Sequence, residues 1–176
     1  MRKFGVIGNP VDHSLSPMIH REFAKEFDIE ISYEKILSPV DAFNLTAEKL
    51  MSAGCAGFNI TLPFKINAYN FADDLTDDAK AAGAVNTIKV DNNIIFGENT
   101  DGKGLVNDLE INLEQTLRDK EILIIGAGGA TRGILKPILD KKPEKILLAN
   151  RTKAKSLSLA NEFSKYGKVC GFGIDQ

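Results

Sequence analysis

The sequence predicts an α/β protein built on open, mostly parallel sheets with helices on their faces. Three observations predict it. Short apolar runs alternate with segments of helical periodicity along nearly the whole chain. A glycine-rich turn, GAGGATRG, stands between an apolar run and a helical pattern. Polar clusters sit just after predicted strands, where open α/β sheets place their ligand crevices.

Taken in order, Phe4 to Gly8 reads as a strand. Ser16 is the expected N-cap of a first helix with Pro17 at its first position, and Met18, Ile19, Phe23 and Phe27 follow at helical spacing to about Asp28. Ile31 to Leu37 is strand-like, Asp41 to Ala53 helical with Gly54 as its stop, and Cys55 to Ile60 a strand. Lys65 to Phe71 and Asp77 to Ala82 are short helices. Ala84 to Val90 and Ile94 to Gly97 form a hairpin about Asp91-Asn92-Asn93. Gly102 to about Leu117 is helical. Glu121 to Ile125, Ala130 to Leu139, Lys145 to Asn150, Lys153 to Phe163 and Val169 to Gly171 then give strand, helix, strand, helix, strand. The polar run Glu114 to Lys120 marks the expected boundary, which divides the chain into residues 1–113 and 114–176.

Composition narrows the function classes. Of 176 residues, 43% are hydrophobic and 26% charged, as in soluble globular proteins. The formal charge is −2 with Lys and Arg scattered, so no nucleic-acid footprint is expected. No apolar run approaches the roughly 18 residues of a membrane span. The start, MRKFGVIG, reads as a strand rather than a secretory leader. Cys55 and Cys170 stand alone and away from His13 and His20, so no metal site is expected. Both read as small buried thiols of a cytoplasmic protein.

GAGGATRG follows the strand EILII and opens a helix, which is the context a dinucleotide fingerprint requires. Gly126 and Gly128 fit the first two glycines of GxGxxG, Gly129 and Ala130 keep the turn small, and Thr131 replaces the third glycine. Such a turn lets pyrophosphate approach amides at a helix N-terminus. Residues 114–176 therefore read as the first βαβαβ half of a Rossmann domain, with Gly126, Ala127, Gly128, Gly129 and Ala130 as cofactor-binding residues. An NAD-type site carries a carboxylate at the end of the second strand. Here KILLA runs into Asn150, Arg151, Thr152, Lys153, Ala154 and Lys155, with no acid and three cations. Asn150, Arg151, Thr152 and Lys155 are the expected contacts to a 2′-phosphate, and NADP is the expected cofactor.

In the first part, GNPVDHSLSP, NITLPFK, AVNT and GENTDG each follow a strand. Ser14, Ser16, Asn59, Thr61, Lys65, Asn86, Thr100 and Asp101 are expected to converge there. Hydroxyls, amides, one ammonium and one carboxylate suit a ligand bearing a carboxylate and several hydroxyls. The ordered stretches GNPVDHSLSPMIH, GFNITLPFK, GAVNT, GENTDG and GAGGATRG resemble the shikimate dehydrogenase family, over Phe4 to about Asp175. The resemblance implies that Ser14 and Ser16 hold the substrate carboxylate. It implies that Asn59, Thr61, Asn86 and Asp101 hold ring hydroxyls, that Lys65 contacts the substrate as well, and that Lys65 and Asp101 form the acid/base pair. The implied reaction is reversible NADPH-dependent reduction of 3-dehydroshikimate to shikimate, in aromatic amino-acid biosynthesis.

Two departures stand out. Arg21 follows His20 where the family has Asn, a position expected to be peripheral. The family chain also continues through a second half-domain and a returning helix with a substrate-contacting glutamine, a role Gln176 does not inherit. The 176 residues are therefore expected to be C-terminally truncated and inactive by themselves. Two other readings stand beside the enzyme: a non-catalytic fragment that binds shikimate and nucleotide, and a quinate/shikimate dehydrogenase paralogue. A homodimer is compatible with all three.

Overall fold

The computed structural model describes residues 1–175, and Gln176 lies outside them. The chain divides into two compact units, one of Met1–Lys80 with Ala84–Asn99, the other of Ala81–Gly83 with the residues from Thr100 on.

In the first unit run β1 (Arg2–Gly8), α1 (Ser16–Glu26), β2 (Ile31–Leu37), α2 (Phe43–Ser52), β3 (Cys55–Ile60), α3 (Lys65–Phe71), β4 (Asp74–Leu75), the start of α4 (Asp77–Ala82), β5 (Thr87–Asp91) and β6 (Ile94–Glu98). The sheet order is β2-β1-β3-β5-β6-β4. β1 pairs in parallel with β2 and β3, and β4 with β6, while β5 is antiparallel to β3 and β6. The core gathers Ile7, Phe43, Phe58, Phe64 and Ile88. Phe43 stacks on Phe64 at 5.5 Å and meets Phe71 edge-on at 5.9 Å. The hairpin turns on Asn92 and Asn93, both left-handed at φ 49° and 63°, as a tight two-residue turn requires and asparagine tolerates.

The second unit holds α5 (Asp101–Asn107), which passes into a π-helical turn at Asp108–Asn112, then β7 (Glu121–Ile125), α6 (Gly129–Asp140), β8 (Lys145–Asn150), α7 (Lys153–Phe163) and β9 (Val169–Gly173). The three strands lie in the order β7-β8-β9, all parallel. Leu135, Ile146, Leu148, Leu159 and Phe163 form its core. At Gly171 β9 passes so close beneath α7 that an added Cβ would sit 2.7 Å from the Leu157 nitrogen and against the Ser156 backbone. Ser156 Oγ donates to the Phe172 carbonyl at 2.8 Å across the same contact. Gly171→Ala is expected to cost about 1–3 kcal/mol by overpacking. Denaturant unfolding checks it, with an unchanged midpoint as the contrary result.

Several expectations are corrected. The helix expected from Gly102 to about Leu117 leaves helical geometry after Asn112, because Glu114 turns left-handed (φ 51°) and delivers Leu117 into the second core. The boundary expected after residue 113 falls between Asn99 and Thr100 in the contact pattern. α5 packs on α6 so closely that a Cβ on Gly102 would meet Pro137 Cγ at 2.5 Å and the Gly133 carbonyl at 2.8 Å. Ser16 is the first residue of α1 rather than its cap, and Leu15 occupies the cap with no side-chain bond. Cys55 is buried, but Cys170 is exposed on β9, which has β8 as its one neighbour in the sheet among the described residues. β4 had no sequence signal.

Candidate functional site

The ends of β1, β2 and β3 are tied together by backbone bonds. Asn9 N–H donates to the Leu62 carbonyl at 3.0 Å, Ser38 N–H to the Gly8 carbonyl at 3.3 Å, and Thr61 N–H to the Ile7 carbonyl at 2.9 Å. The Asn9 carboxamide adds a bond to the Ser38 carbonyl at 2.9 Å. The loop before β5 joins them: Ile60 N–H donates to the Asn86 carbonyl at 2.8 Å, and Val85 N–H to the Lys65 carbonyl at 2.9 Å. Asn59, Thr61, Lys65 and Asn86 thus stand on one hydrogen-bonded frame at the carboxyl end of the parallel strands. This is the crevice position of an open sheet.

Ser14 and Ser16 meet at the start of α1. Their hydroxyls are 3.2 Å apart, and the Ser14 Oγ accepts the Ser16 N–H at 3.3 Å. Ser14 therefore supplies the local acceptor that was expected of Ser16. The carboxamides are joined through a threonine. Asn59 Nδ2 donates to Thr87 Oγ1 at 3.1 Å and to the Asn86 carbonyl at 3.4 Å, and Thr87 Oγ1 donates to Asn86 Oδ1 at 2.9 Å. Thr61 turns its methyl against the end of β1, where a Cβ on Gly8 would lie 2.5 Å from it.

Three side chains with no role assigned from the sequence enter this cluster. Tyr33 on β2 is buried, and its hydroxyl donates to Asn59 Oδ1 at 2.6 Å. Burial pushes its phenol well above the usual value, with the Ser16 hydroxyl beside it acting in the opposite direction, so it is a proton donor. The His20 ring lies flat on the Tyr33 ring, 4.5 Å between centroids and 10° from parallel. Burial lowers the His20 pKa, against the opposing pull of a hydrogen bond to Asn59. Thr87 is the third. Its place in AVNT was a usable signal, whereas Tyr33 reaches Asn59 only through tertiary packing.

A cleft of about 390 Å³ in the same unit touches this cluster at His20, Tyr33, Asn59 and Thr87. Its other walls are largely apolar, among them Phe4, Phe23, Phe27 and Ile29, so it does not match a polyhydroxylated acid. Thr100 and Asp101 belong to the second unit, with Asp101 opening α5.

In the second unit, the chain leaves β7 through Gly126, whose φ of +115° is closed to ordinary side chains. Thr131, in place of a third glycine, is buried and donates to the Gly126 carbonyl at 2.9 Å, closing the turn. Gly128 precedes α6, and a Cβ on Gly128 or Gly129 would meet no atom within 4 Å. Protein packing does not require these glycines. They leave the first-turn amides of α6 open to a phosphate, so the loop fits a dinucleotide. Arg151, Thr152 and Lys155 are exposed beyond β8. The Asn150 carboxamide bridges both loops: Oδ1 accepts Ala127 N–H at 3.1 Å, and Nδ2 donates to the Thr152 carbonyl at 2.9 Å. Arg132, in the glycine-rich stretch, is paired with Glu162 and lies over the Phe163 ring at 5.9 Å. Among the described residues no helix is long and apolar enough to cross a membrane, and no three His, Cys, Asp or Glu gather as metal ligands.

Residues 6–88 match the family model described as shikimate dehydrogenase substrate binding domain, and residues 109–172 match that of shikimate / quinate 5-dehydrogenase. The chain is 55% identical over 176 residues to the shikimate dehydrogenase (NADP(+)) of Ruthia magnifica, covering all of this chain and 66% of that protein. Among solved structures, the Ael1 enzyme from Pseudomonas putida superposes with a TM-score of 0.91 at 38% identity, over 97% of this chain and 63% of that one. The shikimate 5-dehydrogenase of Thermus thermophilus, solved with NADP(H) and shikimate, gives 0.87 at 33% identity, over 97% and 63%. The chain spans just under two thirds of the length of the curated relatives it matches. With two family models matched in order, each on its own sheet unit, the chain belongs to the shikimate dehydrogenase family.

Proposed function

We propose that the protein carries out the reversible NADPH-dependent reduction of 3-dehydroshikimate to shikimate. The observation that carries this reading is the frame at the carboxyl ends of β1 and β3. It carries a carboxamide–hydroxyl–carboxamide chain and the backbone of Lys65, while the serine pair stands at the start of α1 in the same unit. In this reading Ser14 and Ser16 hold the carboxylate, and Asn59, Thr61, Asn86 and Asp101 hold the ring hydroxyls. Lys65 contacts the substrate and, with Asp101, gives the carbonyl oxygen its proton and takes it back in the reverse direction. NADP supplies or accepts the hydride when bound. Gly126, Ala127, Gly128, Gly129 and Ala130 receive its pyrophosphate, and Asn150, Arg151, Thr152 and Lys155 frame its 2′-phosphate. The unit that ends at Asn99 serves the substrate, with Asp101 added from the start of α5, and the βαβαβ segment from β7 on serves the nucleotide. The protein works in the cytoplasm, in aromatic amino-acid biosynthesis, and a homodimer is compatible with that role.

The coenzyme preference is tested by titrating NADP⁺ and NAD⁺ into the full-length protein and into Arg151→Ala. The parent is expected to favour NADP⁺. The substitution is expected to remove about 1.5–3 kcal/mol of NADP⁺ binding and little of NAD⁺ binding, as the loss of one charge-assisted contact would. Equal affinities in the parent, or an indifferent variant, would contradict the 2′-phosphate assignment.

A further inference from the structure

We propose that Tyr33 is a positioning residue for the substrate cradle: its phenol fixes the orientation of the Asn59 carboxamide, and through Thr87 that of Asn86. The inference rests on the reading of Asn59 and Asn86 as substrate residues.

A carboxamide is nearly symmetric in shape but not in chemistry, with an acceptor at one end and two donors at the other. Something must select between the two orientations. A phenol has one hydrogen, and Tyr33 gives its hydrogen to Asn59 Oδ1 at 2.6 Å. That leaves Nδ2 pointing toward Thr87 Oγ1 and the Asn86 carbonyl. Thr87, receiving a hydrogen there, passes its own to Asn86 Oδ1 at 2.9 Å. Every bond in this chain runs in one direction, from Tyr33 to Asn86, so the phenol, together with the His20 hydrogen bond to Asn59, orders the polarity of the linked carboxamides. A ligand with adjacent hydroxyls then meets a fixed order of donors and acceptors.

The phenol itself is held in place. Tyr33 is 4% exposed and packs with Val6 and Val11. Its ring is clamped against His20, which lies one turn after Pro17 and one before Ala24 on the face of α1 that contains both buried residues. With Ser16 close to the same hydroxyl, Tyr33 joins the helix that Ser16 opens to the strand that carries Asn59. Among the described residues, no backbone hydrogen bond links those two directly.

The test is a double-substitution cycle in the full-length protein: parent, Tyr33→Phe, Asn59→Ala, and both together. Steady-state kinetics is measured for shikimate and for NADP⁺, and thermal unfolding for each variant. Phenylalanine keeps the ring, its stacking and nearly all its volume. Tyr33→Phe is expected to lower kcat/KM for shikimate about 10-fold, to leave KM for NADP⁺ unchanged, and to have no further effect once Asn59 is alanine. An unchanged kcat/KM in Tyr33→Phe, or the same 10-fold loss in the Asn59→Ala background, would overturn the proposal and leave the cradle standing. An Asn59→Ala variant with parental shikimate kinetics would overturn the cradle reading itself, and this inference with it. Should Tyr33→Phe unfold early, Thr87→Val is the second variant. It interrupts the same chain one bond later and is expected to lower kcat/KM for shikimate alone. Parental kinetics in that variant would also count against a directed chain.

Discussion

Lys65→Ala in the full-length protein is expected to lower kcat for shikimate oxidation by a factor of about 10² to 10⁴, with a much smaller change in KM, the range typical of a lost general acid/base. Lys65 opens α3 with its carbonyl bonded to Val85 N–H at 2.9 Å, so its backbone is pinned one residue from Asn86. Truncation removes the ammonium and leaves that frame intact. The loss therefore belongs to the chemical step rather than to binding, and steady-state kinetics at saturating NADP⁺ separates the two. A variant that keeps more than about half the parental turnover would take Lys65 out of the proton-transfer role.

Phe163→Ala is expected to destabilise the second unit by about 3–5 kcal/mol, the usual cost of removing a buried aromatic ring. Phe163 has no exposed surface and lies in the core with Leu135, Ile146, Leu148 and Leu159. It also meets Tyr166 at 5.8 Å and lies beneath the Arg132 guanidinium. The ring cannot be replaced by a small shift, because β9 and α7 already meet at backbone contact near Gly171. Chemical denaturation followed by circular dichroism should show the loss. A cost below about 1 kcal/mol would mean that the core collapses to fill the gap.

Much of the fold was legible because strong signals coincided. β2, β3, β7 and β8 fall at their expected bounds, since each is a strand-like run closed by a charged, glycine or proline-containing segment. The Asn92-Asn93 turn followed from the tolerance of asparagine for left-handed backbone. The misses share a cause. Ser16 has the composition of a cap, but Ser14 two residues earlier already supplies the acceptor. The helix after Asp101 kept its polar periodicity past Asn112, yet Leu117 had a core to enter. In the candidate site, strand-end motifs pointed to Ser14, Asn59, Lys65 and Asn86. Tyr33 lies mid-strand in ISYEKIL, and only the assembly of β2 on β1, with β3 on the other side of β1, brings its hydroxyl to Asn59.

The Asn150 bridge bears on any attempt to re-engineer coenzyme choice. The obvious exchange would put an aspartate at the end of β8 to attract an unphosphorylated ribose. Here that position is already employed, because its carboxamide accepts from Ala127 and donates to Thr152. A carboxylate could keep the first bond but has no hydrogen for the second, and would turn a negative oxygen toward the Thr152 carbonyl. The glycine-rich turn and the basic loop would then lose their common fastening as the sign of the charge changed. Selectivity and loop geometry are coupled at one side chain, so a switch toward NAD must start at Arg151 or Lys155, or supply a new tie between the loops.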